Sequence, residues 1–329
     1  MVSLQQVHFS LTDTVHHQPV YHCHLDSVQL WLVHPLNKAI YDHPYFSRHF
    51  AEGFYHSLKQ GYHPFDALVT GSIYASKLSH KINRNNLYHD AAFPVIYLDF
   101  PKKQQSDQSI IPSSIKKTAV NDSTAGGIGL YPIIDHSNWI KKLAETGIST
   151  IQLRIKNQGK IAKEELEQEV ASAVTLARSH GIRLFVNDHW QLAIKYQAYG
   201  VHLGQEDLAT ADMNSIKMAG LQLGISTHCH FEVARALSIQ PDYLAIGPVF
   251  ATKTKPMAFQ PQGLSGLQYW RTQLSHPLVA IAGIHSHNID EVLSCMDIKR
   301  DGIAVISAIT QADDPVAVAT SMQKRFDLD

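Results

Sequence analysis

Cysteine is scarce and scattered: Cys23, Cys229 and Cys295 are the whole complement, odd in number and widely spaced. That excludes a disulfide framework and a zinc-knuckle pattern, and it suits a reducing cytosol. Charge is thin as well. Charged residues make up 17% of the chain and the formal net charge is -1, so no overall field draws nucleic acid or an anionic membrane. A local basic site for phosphates is compatible with that balance. No apolar run approaches the roughly 18 residues of a membrane span, and MVSLQQVHFSLTDTVHHQ has no basic leader ahead of an apolar stretch. The expectation is a soluble, cytoplasmic protein without a nucleic-acid or membrane partner. Also missing are HExxH, CxxC, a Ser-His-Asp order and a GxGxxG after the first regular strand, which leaves zincin, triad and dinucleotide chemistry without their markers.

What is present is enough apolar material, 44% of 329 residues, to bury a sizeable core, at a length that suits two domains. Between Pro101 and Gly129 the text becomes KKQQSDQSIIPSSIKKTAVNDSTAGGIG, rich in Ser, Lys, Gln and Gly and without an apolar period. We read residues 1–105 as an N-terminal region, 106–128 as a linker and 129–329 as the main domain. Ahead of the linker, HPYFSRHFAEGFYHSLKQGYHPFDALVTGSIYASKLSHKI reads as two helices parted at Gly61, and FPVIYLDF from Phe93 as a strand.

Beyond the linker, β-branched runs alternate with amphipathic segments: YPIID from Tyr131, TIQLRIK from Thr150, RLFVND from Arg183, GVHLGQ from Gly200, QLGIST from Gln222, YLAIGPVF from Tyr243, LVAIAGI from Leu278 and GIAVISAI from Gly302. Helical patterns follow each run. In KEELEQEVASAVTLARSHG, for instance, Leu166, Val170, Val174 and Ala177 recur at helical spacing and Gly181 supplies the stop. Polar residues gather at the C-terminal ends of most of these strands, as the single active face of a barrel requires. The fold class is therefore α/β, a (β/α)8 TIM barrel preceded by a smaller α/β region; an open doubly wound sheet is the alternative.

The second of these strands points to chemistry. Alternation puts Ile151, Leu153 and Ile155 on one face and Gln152, Arg154 and Lys156 on the other, inside the barrel. Two cations and an amide in that position suit an anionic ligand, and pairing with a neighbouring carboxylate as simple packing is the plainer account. The third strand ends in Asn187 and Asp188, and Asp207 follows the fourth, so two carboxylates on adjacent loops could share a Mg2+ ion and a diphosphate. Each Asp could instead cap the helix after it. After the sixth strand, GPVFATKTKPM offers Thr252, Thr254 and Lys255 as anion donors, or a solvated basic turn. Ala282, Gly283 and Ser307 end the last two strands, where barrels often build a phosphate site and where tight turns also need small residues. His202 and His228 stand at strand ends, either against a substrate ring or as buried hydrogen-bonded histidines.

These segments, in this order, resemble thiamine-phosphate synthase: QLRIK at 152–156, FVNDHWQLAI from Phe185, GVHLGQED from Gly200, GISTH from Gly224, GPVFATKTK from Gly247, PQGL from Pro261, AIAGI from Ala280 and DGIAVISAIT from Asp301. The likeness spans residues 129–328. It implies small-molecule substrates, a pyrimidine diphosphate and a thiazole phosphate, joined with release of pyrophosphate and with Mg2+ as cofactor. It implies Asp188 and Asp207 as metal ligands and Arg154, Lys156 and Lys255 as catalytic cations. It places Asn187 with the pyrophosphate and metal, Gln152 and Ser226 at the pyrimidine and pyrophosphate, Thr252, Thr254 and Lys255 at the thiazole phosphate and pyrophosphate, and Gly283, Ile306 and Ser307 at the thiazole phosphate. Where the family commonly has a second glycine, this chain has Ala282. A thiazole tautomerase or a non-catalytic thiamine-phosphate sensor are the alternatives, and the retained Lys156, Asp188, Asp207 and Lys255 speak against both. A homo-oligomer is left open.

The stretch FAEGFYHSLKQGYHPFDALVTGSIYASKLSHKI resembles the C-terminal helices of hydroxymethylpyrimidine phosphate kinase, a ribokinase-like enzyme, through its GYxxxDA turn and the helix after it. That family's glycine-rich anion-hole segment is absent, since YDHPYFSRHF stands in its place, so the resemblance implies a remnant without kinase activity. The cluster HHQPVYHCH, with His16, His17, His22, Cys23 and His24, could ligate a transition metal, but its spacing matches no standard site and ordinary surface histidines account for it.

Overall fold

The computed structural model describes residues 8–15, 18–25, 28–33, 46–82, 93–98, 127–156, 161–252 and 259–327. They fall into two compact units, the first Met1–Lys117 with Cys229–Gln240, the second Thr118–His228 with Pro241–Asp329. Of the expected linker, residues 106–126 lie outside the described residues, as do His16 and His17 of the histidine cluster.

In the first unit β1 (His8–Val15), β2 (Gln18–Leu25), β3 (Val28–Val33) and β4 (Val95–Tyr97) form an antiparallel sheet in that order. On β2 the neighbours His22 and Cys23 take opposite faces, as strand alternation requires. Cys23 is fully buried, and burial pushes its thiol up to about 12; His22 stacks on Trp31 at 4.9 Å. Among the described residues no three His, Cys, Asp or Glu side chains are grouped to hold a metal. Helices α1 (Phe46–Lys59) and α2 (Pro64–Ile82) follow the expected division, with Gly61 at a φ of 86° between them. They pack closely because Gly71 has no side chain: a methyl group there would lie 3.0 Å from the Phe54 backbone nitrogen. The segment His230–Leu237 belongs to this unit by its contacts. The Phe231 N–H donates to Asp66 Oδ1 at 2.8 Å, Phe65 stacks on Phe231, and Leu237 packs on Val33 and Val95.

The second unit is a closed, all-parallel barrel of β5 (Gly129–Ile134), β6 (Thr150–Leu153), β7 (Arg183–Asn187), β8 (Gly200–Leu203), β9 (Gln222–Thr227), β10 (Tyr243–Ile246), β11 (Leu278–Ala280) and β12 (Gly302–Val305), with β12 paired back to β5. Helices follow the strands, and the longest, Lys163–Ser179, buries Leu166, Val170, Val174 and Ala177 as its periodicity predicts. This is a (β/α)8 barrel. Its interior is aromatic. Tyr131, Phe185 and Tyr243 meet edge to face, with Phe185 and Tyr243 5.3 Å apart, and Ala245, Val279 and Ala304 complete the cluster. Glycines on adjacent strands make room for two of these rings: Gly200 is the register partner of Phe185 and Gly224 that of Tyr243.

At the N-terminal end of β11 and β12 the fully buried Asp301 accepts from Arg271 Nη1 on both oxygens, at 2.8 and 3.0 Å, and also accepts from the Leu278 and Asp297 N–H groups. Four hydrogen bonds from three donor groups satisfy a carboxylate that would be costly to bury alone. No helix among the described residues is long and apolar enough to cross a membrane.

Candidate active site

The expected residues on β6 to β8 come together at the C-terminal ends of three adjacent strands. Gln152 is buried within β6, and Arg154 extends the strand by donating its N–H to the Ile134 carbonyl at 2.7 Å. Arg154 is half-buried and Lys156 exposed, which leaves the two cations progressively nearer solvent. Asn187 is buried at the end of β7. Asp188 follows it at a φ of 62°, with its N–H donating to the His202 carbonyl of β8 at 3.0 Å. Left-handed backbone is uncommon outside glycine, though Asp and Asn tolerate it best. The turn therefore sharply redirects the chain at a carboxylate.

Neither aspartate occupies the N-cap position of the helix behind it. The N-cap positions are His189 for Trp190–Tyr196 and Glu206 for the short turn Asp207–Ala209, while Asp212 caps the next helix. Asp207 uses one oxygen to accept the Gly204 N–H at 3.0 Å. His189, which sequence reading passed over, joins the three loops: its ring hydrogen-bonds the Ile155 backbone and feels the Asp207 charge. Burial nonetheless holds its pKa below the usual histidine value, and those two contacts oppose the shift. The signal was local, a histidine directly after Asp188 in NDHW.

Two hard oxygen donors on neighbouring loops fit Mg2+, which leaves most of its positions to water and phosphate oxygens.

Deeper in the barrel, Ser226 Oγ lies 2.8 Å from His202 Nε2, and His202 Nδ1 lies 2.7 Å from the Tyr243 hydroxyl. Tyr243 meets the Tyr131 hydroxyl at 3.0 Å, and Gln152 Nε2 donates to that same oxygen at 3.4 Å. Gln205 Nε2 fixes the strand beside Ser226 by donating to its carbonyl at 2.8 Å. Burial raises the pKa of both tyrosines, so they stay protonated. Of the two readings open for His202, a buried hydrogen-bonded histidine is the one observed. His228 stacks on Phe259 at 4.8 Å.

Thr252 is half-buried past the end of β10, whereas Thr254 and Lys255 lie outside the described residues. Gln262 secures the start of helix Gly263–Gln273: its Nε2 donates to the carbonyls of His228 and Gly247, and its Oε1 accepts the Trp270 indole N–H at 2.6 Å. After β11, Ala282 and Gly283 both have positive φ, 75° and 71°. A side chain at Gly283 would lie 2.7 Å from the Ala251 carbonyl oxygen, so that loop has room only for glycine. Ile306 and Ser307 open a short helix, Ser307–Thr310, directly after β12.

A closed (β/α)8 barrel that gathers carboxylates, cations and small-residue turns at one rim has the architecture of a small-molecule enzyme. The family model described as thiamine monophosphate synthase matches residues 130–309, and the chain belongs to that family, whose members are transferases of thiamine biosynthesis. A thiamine-phosphate synthase from Serratia proteamaculans is 48% identical over 193 residues, 58% of this chain and 88% of the relative. One from Salmonella typhimurium is 50% identical over 188 residues, 57% of this chain and 86% of the relative. Among solved structures, a thiamine phosphate pyrophosphorylase from Pyrococcus furiosus is 31% identical with a TM-score of 0.53, covering 60% of this chain and 95% of its own.

Proposed function

We propose that the barrel condenses 4-amino-2-methyl-5-hydroxymethylpyrimidine diphosphate with 4-methyl-5-(2-hydroxyethyl)thiazole phosphate to give thiamine phosphate and pyrophosphate. The observation that carries this reading is the convergence of Arg154, Asp188 and Asp207 on one rim, with the buried Gln152 and the half-buried Ser226 just below. Arg154, Lys156 and Asn187 bind the diphosphate, while Gln152 and Ser226 orient the pyrimidine. Asp188 and Asp207 would hold Mg2+, which when bound supplies positive charge beside the departing diphosphate. Gly283, Ile306 and Ser307 seat the thiazole phosphate through backbone N–H groups, and Thr252, Thr254 and Lys255 serve that phosphate and the pyrophosphate.

The reaction needs no protein nucleophile. The bond from the methylene carbon to the diphosphate oxygen breaks with its electron pair leaving on oxygen, and the electron-rich aminopyrimidine stabilises the carbon. The thiazole nitrogen then supplies the pair for the new C–N bond. Arg154, Lys156 and Lys255 stabilise the charge growing on the leaving group, and holding the two rings in line supplies the rest through proximity. We read residues 1–105 as a kinase-like remnant without kinase activity.

The test is magnesium-dependent pyrophosphate release from both substrates, with the product identified by mass, beside Asp188→Asn. Thiamine phosphate formed by the wild type and lost in the variant supports the assignment; binding without turnover in the wild type overturns it.

A further inference from the structure

Gln152, Tyr131, Tyr243, His202 and Ser226 form one unbroken hydrogen-bonded file through the barrel interior. We propose that this file has a single proton direction, which makes His202 and Tyr243 positioning residues that set the polarity with which Gln152 and Ser226 meet the substrate ring. The inference rests on the synthase reading above.

In a file of hydroxyls and one neutral imidazole each member passes on one proton, so the state of one end fixes the rest. Gln152 Nε2 donates to Tyr131, so the Tyr131 proton goes to Tyr243 and the Tyr243 proton to His202 Nδ1. The imidazole proton is then on Nε2, and it is donated to Ser226 Oγ. Both ends become polarised. Gln152 presents its remaining oxygen, an acceptor, and Ser226 presents its hydroxyl proton, a donor. An aminopyrimidine offers the complement, an exocyclic amine that donates and a neighbouring ring nitrogen that accepts. The reverse direction would suit the oxo counterpart, whose carbonyl accepts and whose ring N–H donates.

Burial protects the direction. Tyr131 is 1%, Tyr243 2% and His202 6% exposed, so reversing a single link would strand a buried donor or acceptor. The tyrosine pKa values, raised mainly by burial, keep both hydroxyls available as donors. Geometry holds the rings in place: Tyr243 stacks on His202 at 5.7 Å with 20° between planes, over the space left by Gly224.

The experiment uses the full chain and two variants, Tyr243→Phe and Tyr131→Phe, each of which deletes one oxygen and keeps the ring. Nitrogen-15 correlation spectra of the His202 ring, assigned with His202→Gln, report its tautomer. Kinetics compare the aminopyrimidine diphosphate with its 4-oxo analogue. The wild type is expected to show the Nε2–H form, and Tyr243→Phe a substantial Nδ1–H population. In Tyr243→Phe, kcat/KM for the aminopyrimidine should fall about 10- to 100-fold and its advantage over the oxo analogue about 10-fold, with KM for the thiazole phosphate within about 2-fold. Tyr131→Phe cuts the tie to Gln152 that sets the direction, so it should lose the same preference and also gain an Nδ1–H population, and it serves if Tyr243→Phe does not fold. An Nδ1–H wild type, or variants that keep both tautomer and preference, would overturn the proposal. If the wild type makes no thiamine phosphate, the synthase reading fails, and the tautomer spectra decide the file's direction by themselves.

Discussion

Gly224 stands directly across from Tyr243 in the pairing of β9 with β10, and a methyl group on Gly224 would fall 2.0 Å from the tyrosine ring. The ring has no free rotamer to retreat to, since Tyr131, Phe185 and His202 surround it. Gly224→Ala is therefore expected to cost about 1–3 kcal/mol, the usual range for overpacking a filled core, and to displace the Tyr243 hydroxyl from His202. Denaturant unfolding would show the first effect and a fall in kcat/KM for the pyrimidine substrate the second. An unchanged unfolding midpoint would mean that the interior is looser than this register implies.

Ala282 is an L-residue at a φ of 75°. Left-handed backbone costs such a residue roughly 1–2 kcal/mol, while glycine gives back about 0.4–1 kcal/mol through the entropy of its unfolded state. Ala282→Gly should thus raise stability by up to about 1 kcal/mol, and Ala282→Val should lower it. Thermal melts of the two variants check the opposite signs.

Asp188 shares that backbone region, which decides how its charge should be removed. Asparagine tolerates a φ of 62° nearly as well as aspartate, so Asp188→Asn should unfold within about 0.5 kcal/mol of wild type while magnesium-dependent turnover falls by about 100-fold or more. Alanine adds the left-handed penalty, and Asp188→Ala should lose stability as well as activity. Parallel unfolding and turnover measurements separate the charge from the backbone.

Asp301→Ala would leave the Arg271 guanidinium, with 16% of its side chain exposed, beside an empty acceptor site. Removing one partner of a buried pair costs about 3–5 kcal/mol, so a large drop in the urea midpoint is expected. Because the pair lies at the opposite end of the strands from the carboxylate rim, whatever protein remains folded should keep its KM values.

His276 is buried beside Arg271 and Arg300, and burial together with those two cations holds its pKa down at about 4. The unfolded chain, with an ordinary histidine pKa near 6.5, takes up the proton first as pH falls. The stability from keeping His276 neutral is thus fully present above pH of about 6.5 and drains away toward pH of about 4, on the order of 3 kcal/mol over that interval. Unfolding curves across this window for wild type and His276→Gln should converge at acid pH.

All eight barrel strands were legible because each couples a short β-branched run to polar residues at its C-terminal end, and the helix Lys163–Ser179 because its apolar spacing is regular. Strands β1 to β3 were not, since HFSLTDTV and QPVYHCHL mix histidine, threonine and aromatics without a clean alternation. The sites at the rim could be placed along the chain, since strand ends are readable. The Tyr131, Tyr243 and His202 contacts depend on register between strands, and the Arg271–Asp301 pair spans 30 positions with no local pattern to announce it. The positive φ at Asp188 and Ala282 is a property of how the turns close, which residue type alone does not reveal.

Gln262 ties the end of β9, the end of β10 and the first turns of a helix through one amide group. Its acid isostere would turn two donors into acceptors aimed at carbonyl oxygens, so Glu would be a worse guest there than a plain truncation. Insertions and deletions in the connection from β10 to that helix can therefore accumulate only on the strand side of residue 262. Past it, each added residue would shift the helix out of phase with the two strand ends that hold it.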